Sequence, residues 1–319
     1  MVNEIDQNFL TVTDLGLFCS KGGFYLDPVK PVGIAIISHA HGDHAIAGNN
    51  KVFATSETIE IMKFRHSLKH KTVFDHKKYN EQFQIEDVLI TFHSANHIAG
   101  SAQVLMECDG IKYLYTGDYK LQKDTTCSDF ELVLCDVLIT ESTFANPEIS
   151  HPDPVESILQ LNKVPFNIIL GAYSLGKAQR LTKLITENCP KKNILIHHSI
   201  SPLHKIYESF GVNIGLWQFY DRKLMKNGDG NYIYIVPPIT FNSYLNSKNA
   251  VRIFASGWQN LQNKDGIKLF ISDHADWNDI IWLISESKAK EVWTIHGNGE
   301  ELKKHFENKL PSVRLLISA

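Results

Sequence analysis

The sequence has no excess of positive charge, no paired-cysteine motif and no long apolar run, and each absence closes off a class of protein. Its 319 residues carry a formal net charge of −3, so there is no global basic field and any nucleic-acid partner must be held by a local patch. The five cysteines, Cys19, Cys108, Cys127, Cys135 and Cys189, are odd in number, widely spaced and without a C-x-x-C pair. That argues against a disulfide scaffold or a thiolate zinc site and fits inert thiols in a reducing cytosol. No apolar run approaches the roughly 20 residues a membrane helix requires. The first ten residues carry Glu4 and Asp6 and lack a basic stretch followed by an apolar one, so no secretory signal is expected. A soluble, cytoplasmic chain with no membrane attachment is the expectation.

What is present is a 43% hydrophobic composition, enough for a substantial core, and a length that favours two domains. The most informative stretch is Ser38-His39-Ala40-His41-Gly42-Asp43-His44, which follows the apolar run Gly33-Ile34-Ala35-Ile36-Ile37. A loop reading H-x-H-x-D-H places three imidazoles and a carboxylate just beyond a buried strand. His39 and His41 can face one ion while Asp43 and His44 reach another, and these ligand types suit zinc and its borderline neighbours.

Before this loop, short segments rich in β-branched and aromatic residues and punctuated by Gly and Pro predict a β-meander. After it, Thr55 to Lys63 reads as a capped helix. Further strands are expected at 88–92, 102–106, 112–115 and 137–140, and three of them run into polar residues: His93 to His97, Thr116-Gly117-Asp118, and Glu141-Ser142-Thr143. Polar groups at strand ends can converge on one rim of a sheet. From about Phe144 strands and helices alternate, which predicts βαβ units and a parallel sheet. Histidines of the same site-like kind resume at His274 and His296. The expected organisation is one domain from residues 1–149 plus 263–319, with residues 150–262 inserted into it.

Taken together, His39, His41, His97 and Asp118 complete one four-ligand set, and Asp43, His44, Asp118 and His296 a second that shares the Asp118 carboxylate. Two cations held in this way activate a water between them and neutralise phosphoryl charge, so hydrolysis is the natural reaction class.

The runs H-A-H-G-D-H, S-A-N-H-I-A-G-S and Y-T-G-D-Y resemble the metal motifs of the metallo-β-lactamase fold, and Asp27 matches the acidic residue preceding them. That resemblance implies an α/β fold, an αββα sandwich with the metals at the edge between two sheets. Thr140-Glu141-Ser142-Thr143, Ala172 to Gln179, Ser272 to Asp276 and Ile295-His296-Gly297 look like the additional motifs of the β-CASP nucleases, which act on nucleic acids. Gly22 to Pro28, Gly117 to Leu121, Ala255 to Trp258 and Asp273 to Trp277 resemble the bacterial ligase-associated DNA exonucleases most closely. The resemblance spans nearly the whole chain. It implies the two ligand sets just given, with two divalent metal ions, zinc or alternatively manganese. His274 is implied as general acid toward the leaving oxygen, oriented by Glu141, and Asp27 as the residue holding a ligand imidazole. A histidine paired with a carboxylate stays in one tautomer and can be protonated near neutral pH. Asn96 stands where the family usually has Gly, and Asn tolerates left-handed backbone well.

Ser174 to Arg180 follows an apolar strand and opens a helix, so free N–H groups with Lys177 could receive a phosphate; a helix cap with solvated basic residues fits the same pattern. Ser174, Lys177, Gln179 and His198 are the expected substrate contacts, with His204 beside them, though ordinary histidines fit these positions equally. Residues 63–78, with Lys63, Arg65, Lys69, Lys71, Lys77 and Lys78 among His66, His70 and His76, form the most basic stretch. It can track a phosphate backbone or simply be a solvated helix face. The leading expectation is a metal-dependent DNA exonuclease of bacterial DNA repair, cutting phosphodiester bonds with a metal-bridging hydroxide. DNA is its expected substrate, and an ATP-dependent DNA ligase and a helicase are partners by family association. The alternatives are an RNA-processing ribonuclease of the same fold and a non-catalytic nucleic-acid adaptor. The adaptor should have eroded ligands, and every expected ligand is present.

Overall fold

The computed structural model describes residues 4–66, 71–227, 230–245, 249–261 and 267–316. Its mixed α/β architecture contains three sheets. In the first, the strands Leu10–Thr13, Gly16–Cys19, Phe24–Leu26, Ile34–Ile36, Lys51–Thr55 and Val73–Lys77 lie side by side in chain order. The first three form the meander the sequence predicts, but pairing turns parallel from Phe24–Leu26 onward. The helix Ser56–Arg65 follows, with the Thr55 side chain accepting from Thr58 N, and runs two residues past the expected end.

The second sheet has the spatial order Ser312–Leu315, Glu291–Gly297, Val137–Ser142, Ile111–Tyr115, Ala102–Cys108, Val88–Ser94, Gln82–Ile85. Its inner strands are largely buried on both faces, which is why they read as mostly apolar rather than strictly alternating. Alternate residues serve different cores. Val104, Tyr115 and Ile139 pack with Phe24, Leu26, Ile36 and Phe53 of the first sheet. Leu105, Leu114 and Leu138 instead meet Ile280 and Leu283 of the helix Trp277–Glu286 and Leu302 of Glu300–His305.

These two sheets belong to a first compact unit, Met1–Lys123, Cys127–Ser150 and His274–Ala319. A second unit comprises Asp124–Thr126 and His151–Asp273. Its sheet, ordered Gln218–Phe219, Asn193–Ile196, Tyr232–Val236, Asn167–Gly171, Ala250–Ser256, Leu269–Phe270, is parallel throughout, the pairing that strand-helix alternation predicts. The expected return at 262/263 lies outside the described residues. The last strand of the second unit comes after it, because Leu269 and Phe270 pair with Ala255 and Ser256. At the entry, Asp153 caps the helix Pro154–Leu159, whose first residue is the proline. Among the described residues no helix is long and apolar enough to cross a membrane.

His204 is fully buried in the second unit. Its Nδ1 accepts from Gln179 Nε2 at 3.0 Å, and its Nε2 lies 2.9 Å from Thr182 Oγ1, whose own hydroxyl donates to Ala178 O. These partners hold a neutral ring, and burial pushes its pKa from 6.5 to about 4. Unfolding therefore takes up a proton between those values. The stability this ring contributes is complete above pH 6.5 and declines as pH falls through the window, by up to about 3 kcal/mol. Denaturant midpoints of wild type and His204→Gln should converge between pH 7 and pH 4; parallel curves would show that His204 is not the group responsible.

Candidate metal centre

The histidine loop leaves the strand Ile34–Ile36 and closes on itself, His44 N and Ala45 N both donating to His41 O. Its tip is fastened by a residue that the sequence did not single out for this purpose. Arg65, at the end of the helix Ser56–Arg65, donates through its guanidinium to Ala40 O at 2.5 Å. A Cβ at Gly42 would stand 2.9 Å from that guanidinium, so a larger residue there would displace the end of the Arg65 side chain.

His39, His41, His97 and Asp118 are brought together. His41 Nδ1 lies 3.1 Å from His39 Nε2 and 3.0 Å from His97 Nε2. Asp118 Oδ2 is 3.4 Å from His39 Nε2 and 3.7 Å from His97 Nε2. Ligands about 2.0–2.1 Å from a tetrahedral zinc stand about 3.3 Å apart, so this donor set fits such an ion. Burial, together with the neighbouring imidazoles, holds His39 and His97 well below the usual histidine pKa, keeping them neutral as ligands must be. Burial also disfavours the charge on Asp118, but His44, His274 and His39 outweigh it and hold the carboxyl ionised.

The second set is more open. His44 Nε2 lies 3.4 Å from Asp118 Oδ2 and 3.9 Å from Asp43 Oδ2, and the His44 and His296 ring centres are 4.8 Å apart. Asp43 is 82% exposed. Among the described residues these four do not form a donor cluster as tight as the first. His296 is the penultimate residue of the strand Glu291–Gly297 and adopts left-handed backbone, at φ 49°. The next residue must be Gly297, because a Cβ there would fall 2.3 Å from Ser142 O.

Asp27 sits behind the loop. Its Oδ2 is 2.8 Å from His44 Nδ1, which leaves Nε2 facing Asp118, and its Oδ1 accepts from Ser38 N at 2.7 Å. Ser38 Oγ and Tyr115 OH also donate to Oδ2. Burial opposes a charge on His44, yet Asp118 and Asp27 raise its pKa well above the ordinary value. Glu141 is 1% exposed; it accepts from Tyr119 N and Thr143 Oγ1 and stands 2.8 Å from His274 Nδ1. Sequence reasoning quoted Ser38, Tyr115 and Thr143 within its motifs but gave them no role, since only their folded positions make them partners of these carboxylates.

Of the four expected substrate contacts, Lys177 and Gln179 have partners within the fold, and Ser174 and His198 reach the surface. Lys177 is buried and donates to Ile271 O at 2.6 Å, with Asp273 Oδ2 at 3.1 Å, so its charge is committed within the second unit and does not await a phosphate. Gln179 is fully buried, accepts from Gly176 N and holds His204. Ser174 is partly exposed and lends its carbonyl to Gln179; His198 is exposed, with its ring 4.0 Å from that of His197. Of the basic stretch, Lys69 and His70 lie outside the described residues. Lys63 pairs with Glu60 at 2.7 Å and Lys77 with Asp75 at 3.0 Å.

No family model matches the chain. Individual proteins do. A protein of Opitutus terrae named "Probable DNA ligase" is 26% identical over 307 residues, covering 90% of this chain and 29% of that protein. An RNase J-like protein of Methanocaldococcus jannaschii is 29% identical, over 56% of this chain and 49% of its own length. The endoribonuclease ysh-1 of Neurospora crassa is 29% identical over 50% of this chain and 23% of its own. The chain is related to the β-CASP metallo-β-lactamase nucleases. It spans less than half the length of each of these three relatives. A solved structure from Enterococcus faecalis, of a protein of unknown function, matches with a TM-score of 0.63 at 16% identity over 89% of this chain and 79% of that one, a likeness of fold alone.

Replacing Asp27 by Asn keeps an acceptor for Ser38 N but removes the anion behind His44. The expected result is metal binding weakened by about 10–100-fold, measured by competition with a chelating dye. Unchanged affinity would remove Asp27 from the centre.

Proposed function

We propose that the chain is a metal-dependent phosphodiesterase acting as a DNA exonuclease in DNA repair. The reading takes the two sheets of the first unit as the αββα sandwich of the family and the second unit as its inserted β-CASP domain. His39, His41, His97 and Asp118 are assigned to one divalent metal and Asp43, His44, Asp118 and His296 to the other, zinc first and manganese as the alternative. The observation that carries the proposal is the His274 and Glu141 pair: an imidazole held at Nδ1 by a buried carboxylate, 3.9 Å from Asp118.

When bound, divalent cations would neutralise phosphoryl charge and bring the pKa of water toward neutrality. The chain's own residues supply the rest. Water oxygen adds to phosphorus as its proton passes to solvent, the P–O bond to the leaving nucleotide breaks, and His274 delivers a proton to the departing oxygen. Glu141 keeps Nδ1–H engaged, so that Nε2 is the nitrogen that donates. Asp27 holds His44 for its metal.

The DNA reading draws on coverage: similarity to the ligase-named protein runs along 90% of this chain, whereas the two RNase-named proteins match 50–56%. A DNA ligase is accordingly the partner proposed first, with a helicase beside it. Those same RNase names favour RNA processing as the second reading. End-labelled single-stranded DNA, duplex DNA and matched RNA, digested with zinc or manganese and with chelator, test both. Chelator-sensitive release of nucleotides from DNA ahead of RNA is expected, and His274→Ala should slow it by about 10²–10⁴-fold. Preference for RNA would establish the second reading, and no release in any metal would end the nuclease proposal.

A further inference from the structure

Two members of the first donor set come from loops that the sheet does not hold together. His97 follows the strand Val88–Ser94 and Asp118 follows Ile111–Tyr115, and these strands are separated in the sheet by Ala102–Cys108. Ladder hydrogen bonds end with the strands, so the distance between the loop tips has to be set in another way.

The loops are cross-braced. Asn96 Nδ2 donates to Lys120 O at 3.0 Å and to Gln122 O at 2.9 Å. Lys120 Nζ reaches the opposite way and donates to His97 O at 2.6 Å, while Lys120 N donates to Ala95 O at 3.4 Å. Each bracing residue is next to a ligand or two positions from it. Both are buried, Asn96 to 2% and Lys120 to 1% exposure, so water does not compete for these bonds. Cys127 Sγ donates to Asn96 Oδ1 at 3.3 Å, which fixes which end of the amide faces the carbonyls. Asn96 adopts φ 54°, a left-handed conformation that glycine would take without strain. Glycine would satisfy that backbone requirement and make none of the side-chain contacts.

We propose that Asn96 and Lys120 are positioning residues that preset the separation of His97 from Asp118 and thereby set the affinity of the first donor set for a divalent cation. The inference rests on reading that set as a metal site, and it adds a role for two residues outside the ligand set. A ligand pair already at the spacing the ion requires loses less freedom on binding than one that must be gathered.

The test uses zinc alone as the probe, on the full chain, for wild type, Asn96→Gly, Asn96→Ala and Lys120→Met. Zinc affinity is measured by chelator competition, and thermal melting is recorded with and without zinc. Asn96→Gly is expected to fold, to bind zinc about 10–100-fold more weakly, and to show a smaller zinc-induced rise in melting temperature than wild type. Asn96→Ala should share the zinc deficit and melt lower still, because alanine is strained at this φ. Wild-type zinc affinity in Asn96→Gly, whatever its melting temperature without metal, would make the amide merely structural and overturn the proposal. Asn96→Gly carries the decision if Lys120→Met does not fold. A wild type that binds zinc tightly but degrades no nucleic acid would end the nuclease reading and leave this one standing; a wild type that binds no zinc would end both.

Discussion

A single carboxylate oxygen organises the polar interior of the first unit. Asp118 Oδ2 lies 3.4 Å from His39 and from His44, 3.7 Å from His97 and 3.9 Å from His274. Alone at such depth, a carboxyl would take up a proton to escape the cost of a buried charge. Surrounded by ring nitrogens it stays an anion, and its field favours charge on every ring around it, against the burial that opposes it. His44, with Asp27 behind it, is pushed toward the protonated form, while buried His39 and His97 are pushed toward the neutral one. The donor set is thus electrostatically sorted by the chain itself. A divalent cation entering it would compete with the proton favoured on His44 and would find His39 and His97 already deprotonated.

That arrangement was legible in the sequence where local pattern and chemistry coincide. His39, His41, His97, Asp118 and Glu141 each come shortly after an apolar strand, and a strand leaving a buried sheet delivers its next residues to a rim. Three imidazoles within six residues have few other uses. The helix after the loop and the parallel sheet of the second unit were legible on the same grounds, because cap residues and strand-helix alternation are short-range signals. The parallel pairing of Phe24–Leu26 with Ile34–Ile36 was not, since short strands read alike whichever way they pair.

What the sequence concealed lies in long-range partners. Lys177 beside a glycine at a helix start has the same local pattern whether its ammonium faces solvent or a carbonyl 94 residues away, and here it meets Ile271 O. Gln179 likewise looked available and instead orders His204. Both positions have one physical ambiguity: a polar side chain at a helix N-terminus is suited equally to an incoming anion and to the fold's own unsatisfied groups. Burial decides between them, and burial is a property of the completed fold. Tyr115 shows the reverse case, an apparently ordinary strand aromatic whose hydroxyl joins the group around Asp27.

The two donor sets differ for a reason that follows from their supports. The first draws on loops tied to one another by buried hydrogen bonds, and its atoms stand near the separations a small cation demands. The second depends on Asp43, exposed at the loop tip, and on His296, the exposed extra residue where the register of its strand shifts opposite Glu141 and Ser142. Side chains in such positions keep rotamer freedom that buried ones lose. Rigid on one side and adjustable on the other, the cluster has its preorganised donors deep in the sheet rim and its adaptable ones facing solvent. A centre that must admit a third party between its ligands needs that asymmetry: a fully closed shell holds an ion for structure, whereas an open flank leaves room for exchange at the ion.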